Sequence, residues 1–316
     1  MPFDHGRVPE PVDGGAPSDL GYEELKQEER IGAGGDADVY RATVESGGET
    51  HTVALKTPRF EGTISKQVVE QFENEAETWA RLDEHDNIVT VYAKGIEPIP
   101  WIALEYMDGG TLEGKLGNVD VEEALWLSGR VADSVSHGHR HGVAHLDIKP
   151  TNVLLRETGA ETWDYPKVSD WGLAKMLLEH SNSIEGLSPQ YAAPEQFDTD
   201  EYGSPDDITD IYQLGVVVYA LLTGEPPFTG SSAAVMRGVL DEEPAPPSEM
   251  NSEVPTEVDE LVMKALEKEK SERYESSVIL RKELDSLFER YVDGSLGGAG
   301  SSGAAGAASS SVVSGS

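Results

Sequence analysis

The stretch HGVAHLDIKPTNVLL, residues 141–155, decides how this chain is to be read. It sets Asp147, Lys149 and Asn152 within six positions. A helix-patterned segment precedes them and the apolar, strand-like run VLL follows. An acid, a base and an amide crowded onto one loop require partners elsewhere in the chain. Leu146, directly beside the acid, requires an explanation of its own.

Working outward, residues 25–106 pattern as strand-rich with one helix, and the chain from about 111 onward as mostly helical. THTVALK (50–56) alternates, placing Ala54 and Lys56 on one face and Val53 and Leu55 on the other. Lys56 on a half-buried face calls for an anion; the other reading is an edge lysine reaching solvent. The helix-patterned KQVVEQFENEAETWARL (66–82) offers the anion. Glu75 lies three residues from Phe72 and four from Trp79, on the apolar stripe, whereas Glu70, Glu73 and Glu77 lie on a solvated face. A carboxylate on an apolar stripe is costly unless it is paired. Upstream, IGAGGDADVY (31–40) reads either as a glycine turn that brings backbone N–H groups close to a phosphate or as a plain hairpin turn. It is not a P-loop, because no GK[ST] follows.

Downstream of the loop, KVSDWGLAK ends a short strand at Asp170 and turns at Trp171-Gly172. Asn152 and Asp170 are hard oxygen ligands suited to a Mg²⁺ ion shared with substrate phosphates. Asp147, expected to lie away from that pair, can accept a proton from a hydroxyl. Lys149 can neutralise a moving phosphoryl group. The segment 121–141 predicts a helix with Val121, Leu125, Ala132 and Val135 near one face and Gly142 as its stop.

In this order the motifs resemble the eukaryotic-type (Hanks-type) protein kinases, most closely the bacterial and archaeal Ser/Thr group. The resemblance runs over roughly residues 22–292 and continues through SPQYAAPEQ (188–196), DITDIYQLGVVVYALLTGEPPF (207–228) and KALEKEKSERYES (264–276). It implies an α+β bilobal protein-kinase-like fold, with a β-rich small lobe (about 22–106) and a helical large lobe (about 107–292). It implies ATP and Mg²⁺ as cofactors, with Mn²⁺ a workable substitute, and protein Ser/Thr hydroxyls as acceptors in signal transduction. By position, Ile31, Gly32, Gly34 and Val39 cover the nucleotide. Ala54 and Val39 lie above the adenine and Leu154 below it. Leu104 is the gatekeeper, and the backbones of Glu105 and Met107 meet the adenine edge. Lys56, paired with Glu75, holds the phosphates. Asp147 is the base, Lys149 assists it, and Asn152 and Asp170 bind the metal. The resemblance makes Ser181, Ser183, Ser188 and Glu195 parts of the activation segment. Ser188 is to tie the substrate loop to Asp147 and Lys149. His145, Asp210 and Arg273 are structural, with Arg273 pairing Glu195.

Four positions depart from the family pattern, one of them Ala37, which stands where a third glycine of the phosphate loop is expected. His145-Leu146-Asp147 lacks the arginine that anchors a phosphorylated activation segment, which implies a non-RD kinase with weak dependence on phosphorylation at Ser181 or Ser183. Trp171 replaces a phenylalanine, and Leu187 a glycine. A pseudokinase, an ATP-binding scaffold, is the alternative, although Lys56, Glu75, Asp147, Asn152 and Asp170 are all present.

Composition sets the remaining bounds. The 316 residues are 38% hydrophobic, enough for a core, and contain no Cys, which excludes disulfides and thiolate chemistry. The longest apolar run, LGVVVYALL (214–222), is too short to span a bilayer, and a cytoplasmic protein is expected. There are 59 acidic against 24 basic residues, a net charge of −35. That balance disfavours nucleic acid as a partner and points to a halophile's surface, because at about 1 M salt the screening length falls to roughly 3 Å. Residues 1–21 read as a flexible leader and 293–316 as a Gly/Ala/Ser tail. The histidines of SHGHRHGVAH (136–145) alternate, and alternate residues on a helix do not face one way, so they converge poorly on a metal.

Overall fold

The computed structural model describes residues 6–11, 15, 20–34, 37–59, 65–82, 84–171 and 188–296. Strands β1 (Lys26–Gly34), β2 (Ala37–Ser46), β3 (Glu49–Pro58), β4 (Val91–Gly95) and β5 (Trp101–Glu105) form an antiparallel sheet in the order β1-β2-β3-β5-β4. Its register sets Val39 opposite Lys56, and Ala54 opposite Leu104. The glycine-rich segment is the β1–β2 hairpin, with Gly32 opposite Val39 and Gly34 opposite Ala37.

Helix α1 (Lys66–Ala80) starts where the Ser65 hydroxyl accepts from Val68 N at 3.2 Å, a side-chain cap. It buries Phe72, Ala76 and Trp79 beneath the sheet. Trp79 is fully buried, worth about 1.5–3 kcal/mol in apolar area, and its Nε1 donates to Val89 O at 2.7 Å. One expectation changes here. β3 does not alternate between core and solvent, because Val53 through Pro58 are all buried. Leu20, Tyr22 and Trp101 cover the far face, where Val53 and Leu55 point, while Ala54 joins the α1 side.

The large lobe is built on α2 (Val121–Arg140) and α5 (Asp207–Thr223). Asp120 caps α2 through Glu123 N at 2.8 Å, and Gly142, at φ +73°, ends it as expected. Val121, Leu125, Ala132 and Val135 are all buried. Helix α5 is buried from Thr209 to Leu222, so it has no solvent face and forms the lobe's axis. Around it lie the one-turn helices α3 (Pro194–Phe197) and α4 (Thr199–Tyr202), then α6 (Ser232–Asp241), α7 (Pro247–Met250), α8 (Thr256–Ala265) and α9 (Ser277–Val292). The hairpin of β6 (Val153–Arg156) and β7 (Tyr165–Val168) sits below the sheet, and Val168 bridges to Ile88.

The leader is not loose throughout. Arg7 lies over the Trp163 ring, donates to Asp120 at 2.9 Å, and accepts Trp163 N on its carbonyl. The tail from 297 onward lies outside the described residues. No described helix is long and apolar enough to cross a membrane.

Candidate active site

Two clusters of side chains meet between the sheet and the β6–β7 hairpin. The first is centred on Lys56, which β3 carries on its inward face. Its Nζ donates to Glu75 Oε1 at 2.5 Å and to Asp170 Oδ1 at 2.7 Å, and it lies 5.7 Å from the Trp79 ring centre. Lys56 and Glu75 are buried, whereas the Asp170 side chain stays about one-third exposed. Burial opposes the charge on Lys56, but the Asp170 and Glu75 carboxylates outweigh it and raise its pKa. Burial likewise opposes ionisation of Asp170, yet Lys56 holds its carboxyl below the ordinary value. Glu75 is pushed up by burial, which Lys56 only partly offsets.

The second cluster is the 145–152 loop. Lys149 Nζ donates to Asp147 Oδ2 at 2.7 Å. Asn152 Nδ2 donates to Asp147 O at 2.8 Å and to Oδ2 at 3.1 Å. Asp147 was expected to stand apart from the Asn152/Asp170 pair. Instead Asn152 touches it, because the one-turn 3₁₀ segment Pro150–Asn152 folds the amide back over the loop. Asp147 Oδ1, Asn152 Oδ1 and Asp170 Oδ2 have no hydrogen-bond partner among the described residues.

Hydrogen bonds hold the loop against backbone strain. Leu146 and Asp170 both have φ +62°, a left-handed conformation costly for a residue with a Cβ. Asp210, buried on α5, accepts from His145 N (2.8 Å) and Leu146 N (2.6 Å), and His139 Nε2 lies 2.7 Å from its Oδ2. His145 Nε2 contacts Ser169 O at 2.9 Å. A carbonyl only accepts, so the proton sits on Nε2 and Nδ1 is left to accept Asp147 N at 3.3 Å. The histidines of 137–145 thus diverge. His139 and His145 serve the loop, while His137 stacks on His85 and His141. Burial and those two neighbours push His137 down to about 4.

The large lobe holds a sealed pair. Arg273 reaches Glu195 through Nη1 (2.7 Å) and Nη2 (2.8 Å), both fully buried, as expected. Ser188 does not behave as expected. Among the described residues its hydroxyl makes no bond to Asp147 or Lys149, which bond to each other. Ser181, Ser183, Gly172 and Leu187 lie outside the described residues.

Leu104 and Ala54 line the buried cleft side, with Val39, Met107 and Leu154 half-buried at its margin and Ile31 exposed at 44%. Two sets of partners escaped the sequence reading, although Trp171 itself was expected to keep a packing role. Glu105 buries its carboxylate against Arg156 (2.9 Å) and Lys167 (2.8 Å), tying the end of β5 to the β6–β7 hairpin. Trp171 is fully buried edge-on to His145, with room for its indole because Gly138 on α2 has no Cβ; one there would collide with the ring. A glycine inside a helix pattern was the available signal.

The sequence profile of the family described as "Protein kinase domain" matches residues 25–284. The chain is 34% identical over 251 residues to the serine/threonine-protein kinase PknB of Mycolicibacterium smegmatis, across 75% of this chain and 39% of that protein. It is 34% identical over 268 residues to the serine/threonine-protein kinase PrkC of Bacillus subtilis, across 82% of this chain and 40% of that protein. A probable serine/threonine-protein kinase of Clostridium perfringens is 33% identical over 267 residues, 81% of this chain and 37% of that protein. The chain therefore spans about two fifths of the length of these curated relatives.

Proposed function

The chain belongs to the protein kinase family, and from that premise we propose that it transfers the ATP γ-phosphate to Ser or Thr hydroxyls of protein substrates. The observation that carries this is the complete set around one cleft: Lys56 shared by Glu75 and Asp170, beside Asp147 bonded to Lys149 and Asn152.

Asp147 accepts the proton of the substrate hydroxyl on Oδ1 as the hydroxyl oxygen bonds to the γ-phosphorus and the bond to the ADP oxygen breaks. Lys149 neutralises charge on the transferring group. Lys56 holds the α- and β-phosphates, and Glu75 orients it. Asp170 Oδ2 and Asn152 Oδ1, without a hydrogen-bond partner among the described residues, are a hard donor set that fits Mg²⁺, which when bound would neutralise phosphate charge. Ile31, Gly32, Gly34, Val39 and Ala54 form the roof over the nucleotide, Leu154 the floor and Leu104 the rear wall. The Glu105 amide is already taken by Thr90 O at 2.9 Å, so its contact with the adenine edge falls to its carbonyl, with Met107 supplying the other.

The finer reading is a non-RD enzyme working in the cytoplasm of a halophile. Leu146 cannot hold a phosphate, so alanine at both Ser181 and Ser183 leaves activity largely intact. The −35 charge supports the saline origin. Unfolding should set in as KCl is diluted from molar to millimolar, and full stability in dilute buffer contradicts that origin.

The deciding assay is Mg-ATP phosphotransfer in molar KCl, comparing wild type with Asp147→Asn. Equal incorporation by the two removes the kinase reading.

A further inference from the structure

Leu146 and Ile148 flank Asp147, and one side chain grips the backbone on both sides of it. Gln213, buried on α5, accepts from Ile148 N on Oε1 at 2.8 Å and donates from Nε2 to Leu146 O at 3.1 Å. Its Nε2 also donates to Gln196 Oε1 at 2.9 Å. Gln196, buried on α3, donates to the same Leu146 O at 2.9 Å and accepts from Ala193 N at 3.0 Å. Each carboxamide makes three bonds among the described residues, every bond has one donor and one acceptor, and the carbonyl of Leu146 takes two.

The residue they hold is the one that needs holding. Leu146 is a branched residue at φ +62° whose N–H is fixed by Asp210. Asp210 alone secures only the entry to Asp147. Gln213 secures the exit and, with Gln196, the carbonyl in between. Gln196 follows Glu195, which Arg273 and Thr209 lock in place, so the grip runs from α5 through α3 to the sealed pair.

We propose that Gln213, backed by Gln196, is a positioning residue that sets the base Asp147 through neutral amide bonds, in place of a charge that must first be made by phosphorylation. The inference rests on the kinase reading given above. A carboxamide carries no charge and does not titrate, so this grip is always on. That fits a chain whose Leu146 has no means of reading a phosphate.

The test is steady-state kinetics of Gln213→Ala, Gln196→Ala, the double variant and Gln213→Glu, at a salt concentration where wild type is folded, with melting curves for each. Gln213→Ala should lower kcat by about tenfold to a hundredfold, the scale of a misplaced catalytic group. Its KM for ATP should stay within about twofold, since Lys56, Glu75 and Asp170 are untouched. Gln196→Ala should lose less, and the double variant little more than Gln213→Ala, because both act on one carbonyl.

Gln213→Glu supplies a readout that mere destabilisation would not move. The ionised carboxylate cannot donate to Leu146 O, and the protonated one can. Its kcat relative to wild type should therefore climb as pH falls from 8 to 5.5. The charged groups facing that position are Asp210 on α5, Asp147 and His145 on the loop, and Glu195 with Arg273 from α3 and the segment before α9; the ratio to wild type at each pH cancels their titration.

A folded Gln213→Ala with kcat within about twofold of wild type, or a loss confined to KM for ATP, overturns the proposal. Should Gln213→Ala not fold, a flat pH ratio for Gln213→Glu overturns it instead. Wild type that transfers no phosphate overturns the kinase reading and the proposal together; active wild type with indifferent variants overturns the proposal alone.

Discussion

Two of the buried groups of opposite charges among the described residues are finished differently. Glu195 and Arg273 in the large lobe are both fully buried, and the pair is bidentate. The remaining guanidinium hydrogens go to Glu267 O, Lys268 O and Ile208 O, and Thr209 closes on the carboxylate. Nothing is left over. Lys56 in the cleft is a compact charge split between Glu75 and Asp170, and Asp170 keeps one oxygen without a hydrogen bond among the described residues and a third of its side chain exposed. Saturated pairs hold structure, because any loss strands a charge without water. An unsaturated pair retains the capacity to bind something else.

The largest expected effect tests the saturated pair. Arg273→Ala should destabilise the protein by about 3–5 kcal/mol, read from denaturant midpoints, because Glu195 has no solvent to return to. A loss under about 1 kcal/mol would erase the contrast between the two groups.

Next comes the open pair. Lys56→Met should cut phosphotransfer by about 10²–10³-fold, while unfolding midpoints move far less than for Arg273→Ala. Asp170 can rehydrate, and Glu75, already pushed up by burial, can take a proton. A midpoint shift as large as that of Arg273→Ala would break the comparison.

A smaller effect sharpens it at the cleft's edge. Gly138→Ala should cost about 1–3 kcal/mol by overpacking against Trp171. It should also lower activity, since Trp171 adjoins Asp170 in the chain; unchanged activity would detach the indole from the cleft.

The smallest lies at the rim of the sealed pair. Lys268, whose carbonyl receives Arg273, sets its ammonium 4.7 Å over the Phe228 ring, and burial pushes it down to about 8 from 10.5. Between those values the unfolded chain holds a proton that the folded one has lost. Stability from this group therefore rises with pH across that window and is lost as pH falls through about 8. Wild type should gain on Lys268→Met from pH 8 to 10, by less than about 1 kcal/mol because the side chain is partly solvated. A flat difference would remove Lys268 from the buried set.

Much of the cleft was legible in the chain. Phe72, Glu75 and Trp79 fall on one helix stripe, and Lys56 shares a strand face with Ala54, so the spacing alone set the pair facing inward. The order of the motifs along the chain gave the lobes. What local pattern missed was always a meeting of distant residues. Val53 and Leu55 were placed on the face opposite Lys56, but only the fold showed that Leu20, Tyr22 and Trp101 cover that face. Asp147 was read as lying away from Asn152 and Asp170, yet the amide nitrogen of Asn152 serves it. Glu105 was read for its backbone, while its side chain anchors Arg156 and Lys167.

The sequence by itself determined which residues are candidates for the chemistry and which face of each element they occupy. Helix and strand periods act over a few residues, and they sort side chains as soon as the backbone forms. Only the tertiary structure decided who satisfies whom: Gln213 and Gln196 on the carbonyl of Leu146, Asp210 on its amide, Gly138 making room for Trp171. A buried polar group must find a partner wherever the fold brings one within reach, and that choice is made across the chain rather than along it.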